Sequence, residues 1–264
     1  MHMAGFDRRK DPSIGTLDEL EVCVLALADQ QENPFVMRVF DLLGTDSRLC
    51  THVREAVASR LGIAPERIWV CATHTHSAPT GHFSGNQSSD EHYVAVLTSQ
   101  AASAAAEALA NLHPASAFDA MTQAAGVSSL RNKGREGSQF PMPLPLIFLE
   151  NEEKPLVLAR ISCHPTVLDE RNLLYSRDLP GQLRDGVSPR WNGLVINGPC
   201  ADLSTRFTRQ ASDPEELARL GAKLTDAVLT AQPRQAPPLW FKHPHRRTGG
   251  VSVPLCQPQR RGSG

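Results

Sequence analysis

The chain has 264 residues, 41% of them hydrophobic, enough to bury the core of one large domain. A formal net charge of −1 and a pI near 6.8 remove the long-range attraction that nucleic acid or an anionic membrane surface requires, so neither is an expected partner. There is no apolar run of the roughly 18 residues that a transmembrane helix needs, and "MHMAGFDRRKDPSIG" at the start lacks the apolar centre of a secretory signal. As written, the chain reads as soluble and cytoplasmic, or as secreted or periplasmic if the N-terminus is incomplete.

"ELEVCVLALAD" (19–29) and "PFVMRVFDLLG" (34–44) are Val- and Leu-rich stretches separated by a polar turn, the pattern of two adjacent strands. "TDSRLCTHVREAVASRLG" opens on Thr or Asp cap candidates, repeats apolar residues at helical spacing and stops at Gly62. "ERIWVCAT" returns to strand, and residues 90–112, acidic at the start and Ala-rich in the body, predict a long amphipathic helix. An irregular strand around "FDAMTQAAGVSS" follows. A Gly-rich basic connection then leads to "LPLIFLE" and "KPLVLARISCH", which predict a hairpin. "SRDLPGQLRDGV", with Pro and Gly inside it, predicts only a short helix. "GLVING" is a brief strand running into the loop "PCADLST". "SDPEELARLGAKLTDAVLTAQ" carries a Ser212 or Asp213 cap and Pro214 in the first turn, and is the clearest helix. The alternation predicts an α/β fold, a mixed β-sheet flanked by helices in a single domain over residues 1–232. Residues 233–264 are rich in Pro, Arg and Gly and read as a disordered tail.

Six cysteines (Cys23, Cys50, Cys71, Cys163, Cys200, Cys256) form no C-x-x-C pair and sit mostly in apolar runs, so they read as reduced residues. Cys71 and Cys163 each lie shortly before a histidine and are the candidate thiolate ligands.

The chemistry concentrates in three loops that each follow an apolar strand, the place where α/β sheets carry ligands. "CATHTHSAPTGH" puts His74 and His76 two residues apart. On a strand they share a face with Cα atoms about 6.5–7 Å apart, so both address one site. Alone, so short a motif reads first as a surface loop whose histidines are merely solvated. A second strand ends at His164, followed by Pro165 and Thr166, and a third loop, "NGPCADLS", presents Asp202 and Ser204. Two strands ending in histidine converge naturally on a metal, since zinc accepts imidazole nitrogen at about 2.0–2.1 Å.

Taken in order, "THTHSAP", "CHPT" and "NGPCADLS" resemble the three motif loops of the neutral/alkaline ceramidases over roughly residues 20–210. The resemblance implies a zinc-dependent amidase that splits an N-acyl sphingoid amide, a small-molecule or lipid substrate, into fatty acid and amine. It assigns His74 and His164 as zinc ligands, His76 as the proton carrier or oxyanion partner beside the scissile amide, and Ser204 as the serine near the metal. Arg131, in "SSLRNKG", is the counterpart of a contributing arginine. Asp41, Asp178 and Asp202 are candidate carboxylates to orient a ligand histidine.

These roles suit amide cleavage on physical grounds: a bound divalent metal lowers the pKa of water toward about 7 and polarises a carbonyl, and a neighbouring base and cation manage the proton and the oxyanion. The chain also departs from the family. The downstream glutamate and tyrosine that complete its zinc sphere have no visible counterpart, for "LPGQ" at 179–182 comes too early and carries Gln, and Tyr93 and Tyr175 both precede the third loop. Thr205 stands where the family has Pro after the serine. A third ligand would then come from Asp41, Asp178, Asp202 or His76. Two further readings follow: a catalytically silent domain that binds a metal or ligand, and a metal-dependent hydrolase of another bond such as an ester. No motif bears on oligomeric state.

Overall fold

A computed structural model describes residues 1–29, 33–81, 91–151, 155–235 and 251–252. Within them the main elements are β1 (Val22–Ala28), β2 (Pro34–Phe40), α1 (Ser47–Leu61), β3 (Ile68–Ala72), α2 (Glu91–Ala110), β4 (Pro114–Ala124), β5 (Met142–Glu150), β6 (Leu156–Ile161), α3 (Asp178–Val187), β7 (Asn192–Asn197) and α4 (Pro214–Leu229). Both expected strand pairs form: β1 runs antiparallel to β2, and β5 antiparallel to β6. The turns joining them fall largely on residues 30–32 and 152–154, outside the described residues.

The sheet is mixed. β3 adds parallel to β2, β7 adds parallel to β6, and β4 pairs antiparallel with β5. Val251–Ser252 lies antiparallel to both β1 and β4 and joins the two halves into one hydrogen-bonded path. The alternation of side chains shows how those halves pack. Cys23 and Leu25 of β1, Met37 and Val39 of β2, Leu149 of β5, Leu156 of β6 and Leu194 of β7 form one cluster, so the halves stack face to face. The opposite faces carry the helices. Val24, Ala26 and Val36 pack on α1 and α2, whereas Leu144, Leu146, Phe148, Val157 and Ala159 pack on α3 and α4. The result is four layers, helices outside and sheets inside, and it explains why β1 and β2 read as continuous apolar runs rather than as alternating ones.

Local chemistry sets the helix ends. Asp46, in extended conformation, accepts from Leu49 N at 2.9 Å and caps α1. Gly62 ends it at φ 66°, where a residue without Cβ meets no steric penalty. At α4 it is Asp213 rather than Ser212 that caps, accepting from Glu216 N at 2.8 Å, with Pro214 in the first turn. α3 is longer than its Pro and Gly suggested, at 10 residues, because Pro180 falls in the first turn, where the missing N–H has no helical partner to lose. In the stretch expected to be a tail, Arg234–Gln235 pairs with β4 and Val251–Ser252 enters the sheet. Residues 236–250 and 253–264 lie outside the described residues.

Candidate functional site

The three motif loops leave the C-terminal ends of β3, β6 and β7 and meet where the two sheets adjoin. β3 stops at Ala72, so the pleat does not align His74 with His76. The loop does it instead. His74 adopts φ 67°, a left-handed conformation that costs a non-glycine residue about 1–3 kcal/mol unless its surroundings hold it. They do: His74 N donates to Leu42 O at 2.9 Å, and the ring Nδ1 lies 2.6 Å from Leu43 O. A carbonyl only accepts, so Nδ1 carries the proton and Nε2 keeps its lone pair.

His164 is built the same way from the other sheet. Its Nδ1 lies 2.6 Å from Cys200 O and 3.3 Å from Leu203 O, so Nδ1 again donates and Nε2 is the nitrogen left with its lone pair. The His74 and His164 ring centroids are 4.8 Å apart. Burial pushes the His164 imidazole down, and the neighbouring His74 and Arg131 add to the effect. Ser204 is buried beside it: His164 and Ser204 form a parallel bridge, Ser204 Oγ accepts from Arg206 N at 3.2 Å, and Ser204 O accepts from Ser129 Oγ at 2.8 Å. Arg131 clips onto the same loop, its N donating to Asp202 O at 2.7 Å and its Nη1 to Ala201 O at 3.2 Å, with its side chain exposed.

His76 completes a triangle of imidazoles, 5.0 Å from His74 and 5.6 Å from His164 between centroids. It is 9% exposed, and among the described residues neither ring nitrogen makes a well-formed hydrogen bond. Burial first, then the two neighbouring imidazoles, push it down to about 3, so the ring is neutral. The N-terminal segment roofs it. Ala4 N donates to Ala78 O at 2.9 Å, the Phe6 ring packs 4.9 Å away, and Arg9 donates to His76 O at 2.8 Å. Gly5, at φ +104°, sits so close that a Cβ there would come within 2.5 Å of His76 Nδ1.

None of the three aspartates touches an imidazole. The Asp41 carboxylate is fully buried and accepts from Arg184 Nη2 (2.5 Å), Glu21 N (2.9 Å) and Thr73 Oγ1 (3.0 Å), so it fixes the residue before His74 rather than the ring. Asp178, at φ 49°, accepts from the N–H groups of Leu179 (2.8 Å), Leu168 (3.2 Å) and Val167 (3.4 Å), and burial pushes it up to about 6. It anchors the chain just after His164. Asp202 is exposed and contributes its backbone carbonyl to Arg131.

Two residues that sequence reasoning passed over stand at the centre. Among the described residues, His74, His164 and Cys200 each offer a ligand atom, all within 4.8 Å of one another. Cys71 and Cys163, the expected thiols, face core clusters instead. Asn197 Nδ2 donates to Thr73 O (3.3 Å) and Cys163 O (3.2 Å) and reaches Cys200 Sγ (3.7 Å), tying both histidine loops to the third. Both lie inside "NGPCADLS", the loop that also carries Asp202 and Ser204. Two lone-pair nitrogens beside a thiol, with a third imidazole adjacent, form a donor set that fits a borderline-soft divalent cation.

No protein-family model matches the sequence, and no curated protein matches it. Solved structures do. A structure described as ceramidase complexed with C2 aligns at TM-score 0.67 and 14% identity, covering 81% of this chain and 44% of that one. The neutral ceramidase from Pseudomonas aeruginosa aligns at TM-score 0.65 and 15% identity, covering 81% of this chain and 45% of that one. The chain thus spans less than half the length of either. Over the aligned span, this protein has the fold of the neutral ceramidases.

Proposed function

We propose that the protein is a metal-dependent hydrolase of linear amides, with an N-acyl sphingoid amide as substrate and zinc as the metal. The observation that carries the reading is the imidazole triangle. His74 and His164 each spend Nδ1–H on a backbone carbonyl and turn Nε2 free, while the His76 ring between them makes no well-formed hydrogen bond among the described residues.

In this reading His74 and His164 hold the zinc, which when bound acidifies water and polarises the amide carbonyl. His76, neutral, takes the proton from the attacking water and returns it to the departing amine nitrogen. Burial keeps the ring neutral, so a lone pair is present to accept the proton, and it lowers the basicity of that lone pair. Arg131, held at the rim by Ala201 O, places positive charge where the oxyanion develops. The Ser204 hydroxyl accepts from Arg206 N, which leaves its O–H to donate to the substrate. No helix among the described residues is long and apolar enough to cross a membrane.

Metal analysis of protein purified without a polyhistidine tag tests the reading. Zinc close to one equivalent should fall sharply in His74→Ala and in His164→Ala and persist in His76→Ala and Ser204→Ala. Fatty-acid release from N-acyl sphingosine should vanish in His76→Ala. Equal metal in wild type and both ligand variants removes the metal centre. Metal without release in wild type leaves a binding domain in place of an enzyme.

The roof over His76 gives a separate expectation. Gly5→Ala would push a methyl into Nδ1 from a backbone conformation that alanine resists, and a displacement of about 1 Å at a proton carrier costs roughly 10–100-fold in rate. Zinc content should stay at the wild-type level, because neither metal-binding imidazole touches Gly5. Unchanged turnover in Gly5→Ala would show that His76 does not need its roof.

A further inference from the structure

We infer that the Cys200 thiolate is the third protein ligand of this centre, which makes it a two-histidine, one-cysteine site suited to zinc or cobalt(II). The inference rests on the metal reading above and adds to it the identity of the missing ligand.

Geometry supplies the first argument. Cys200 Sγ and one nitrogen from each of His74 and His164 lie within 4.8 Å of one another. Tetrahedral zinc with bonds of about 2.0–2.3 Å separates its ligands by roughly 3.3–3.8 Å, so about 1 Å of closure brings all three onto one ion. Few movements are needed, since Cys200 sits on a loop half-buried between two fixed strands.

The second argument is that Cys200 is already built into the site. Its carbonyl accepts from His164 Nδ1, so the residue that orients one ligand carries another. Asn197 Nδ2, 3.7 Å from Sγ, is a donor aimed at the sulfur. Arg131 is clipped to Ala201 O, one residue along; burial pushes the Cys200 thiol up, and the Arg131 charge and the Asn197 donor oppose that. His76, 9% exposed and with neither nitrogen in a well-formed hydrogen bond among the described residues, faces the same space and marks it as a place where a polar group belongs.

The third argument is elimination among the other donors. Asp41 is committed to Arg184 and Thr73, Asp178 to three backbone N–H groups, and Asp202 is exposed. Were His76 the third ligand, no base would remain. With Cys200 in that role, the thiol exchanges its S–H proton for the metal, one coordination position stays open and His76 keeps its lone pair. A soft sulfur donor also selects zinc or cobalt(II) over manganese and magnesium.

Absorption spectroscopy of the full chain loaded with cobalt(II) tests this without reference to turnover. Wild type should bind one equivalent and show a near-ultraviolet sulfur-to-cobalt charge-transfer band. Cys200→Ser should lose the band and, in competition with a chromophoric chelator, bind zinc more weakly by more than the roughly 10–100-fold that loss of an outer partner costs. One equivalent of cobalt without the band, or a band that survives in Cys200→Ser, overturns the thiolate and leaves the metal centre standing. No cobalt or zinc bound by wild type removes both. The wild-type spectrum alone decides the matter if the variant does not fold.

Discussion

Arg184→Met should lower the free energy of unfolding by about 3–5 kcal/mol in urea denaturation, the cost of leaving a buried carboxylate uncompensated. Arg184 lies on α3 in one outer layer and Asp41 follows β2 in the opposite sheet, so their contact spans the join between the halves. Arg184 is 5% exposed at the side chain and Asp41 is 0%, with Nη2 at 2.5 Å from Oδ2, and Glu21 Oε2 lies 3.3 Å from the same nitrogen. Removing the guanidinium leaves Asp41 with the Thr73 hydroxyl and the Glu21 N–H, two donors and no cation in contact. Methionine fills the volume of the stem, so the loss reads the charge rather than a cavity. The pair as a whole need not stabilise, because its attraction repays desolvation only approximately. Hence Asp41→Leu combined with Arg184→Met should recover most of the loss. A single variant that loses under about 1 kcal/mol would place the pair with solvent-exposed bridges and contradict its burial. The same variant should weaken metal binding, since Asp41 holds Thr73 immediately before His74.

The elements were legible where one physical cause dominates. Asp46 and Gly62 bracket α1, and Pro214 opens α4, because caps act locally. The doubling of the sheet was not legible, since a run such as "VCVLALA" is apolar on both faces whether helices or a second sheet cover it. Arg38 shows the limit plainly. It stands in the middle of the apolar run "PFVMRVF", and it is fully buried on the helix side. Its Nε donates to Ala101 O at 3.2 Å, both Nη atoms are without partners among the described residues, and burial pushes it down to about 10.

The site divides along the same line. His74, His76 and His164 could be named from residue type and from their position after apolar strands, and the structure brings the three rings together. The reason offered for the pair, a shared strand face, differs from the one at work, a left-handed turn at His74 that only tertiary hydrogen bonds sustain. Aspartates were assigned to the imidazoles because carboxylates commonly fill that role. Backbone carbonyls of Leu43 and Cys200 take it instead, and a carbonyl leaves no mark in the sequence. Cys200 and Asn197 were invisible for a related reason: their importance lies in where the third loop crosses the other two.

Asn197 therefore yields the sharpest expectation for binding. One amide group serves Thr73 O from the first sheet and Cys163 O from the second, and it points at Cys200 Sγ. Asn197→Leu keeps the volume and removes the donors. Two carbonyls at the seam then lack this partner, a loss of about 1–3 kcal/mol in stability where burial denies them water. In the proposed metal site the larger consequence falls on the ion. His74 and His164 belong to different sheets and are held 4.8 Å apart through the loops that Asn197 joins, so zinc affinity should drop by about 10–100-fold, as for other partners that orient ligands. Asn197→Asp should fare worse than leucine, because it sets a carboxylate against carbonyl oxygens. Chelator competition on all three proteins gives the order directly. If Asn197→Leu binds zinc as tightly as wild type, the two sheets hold their histidines in register without this bridge, and the site is organised by the strands and the Asp41–Arg184 pair alone.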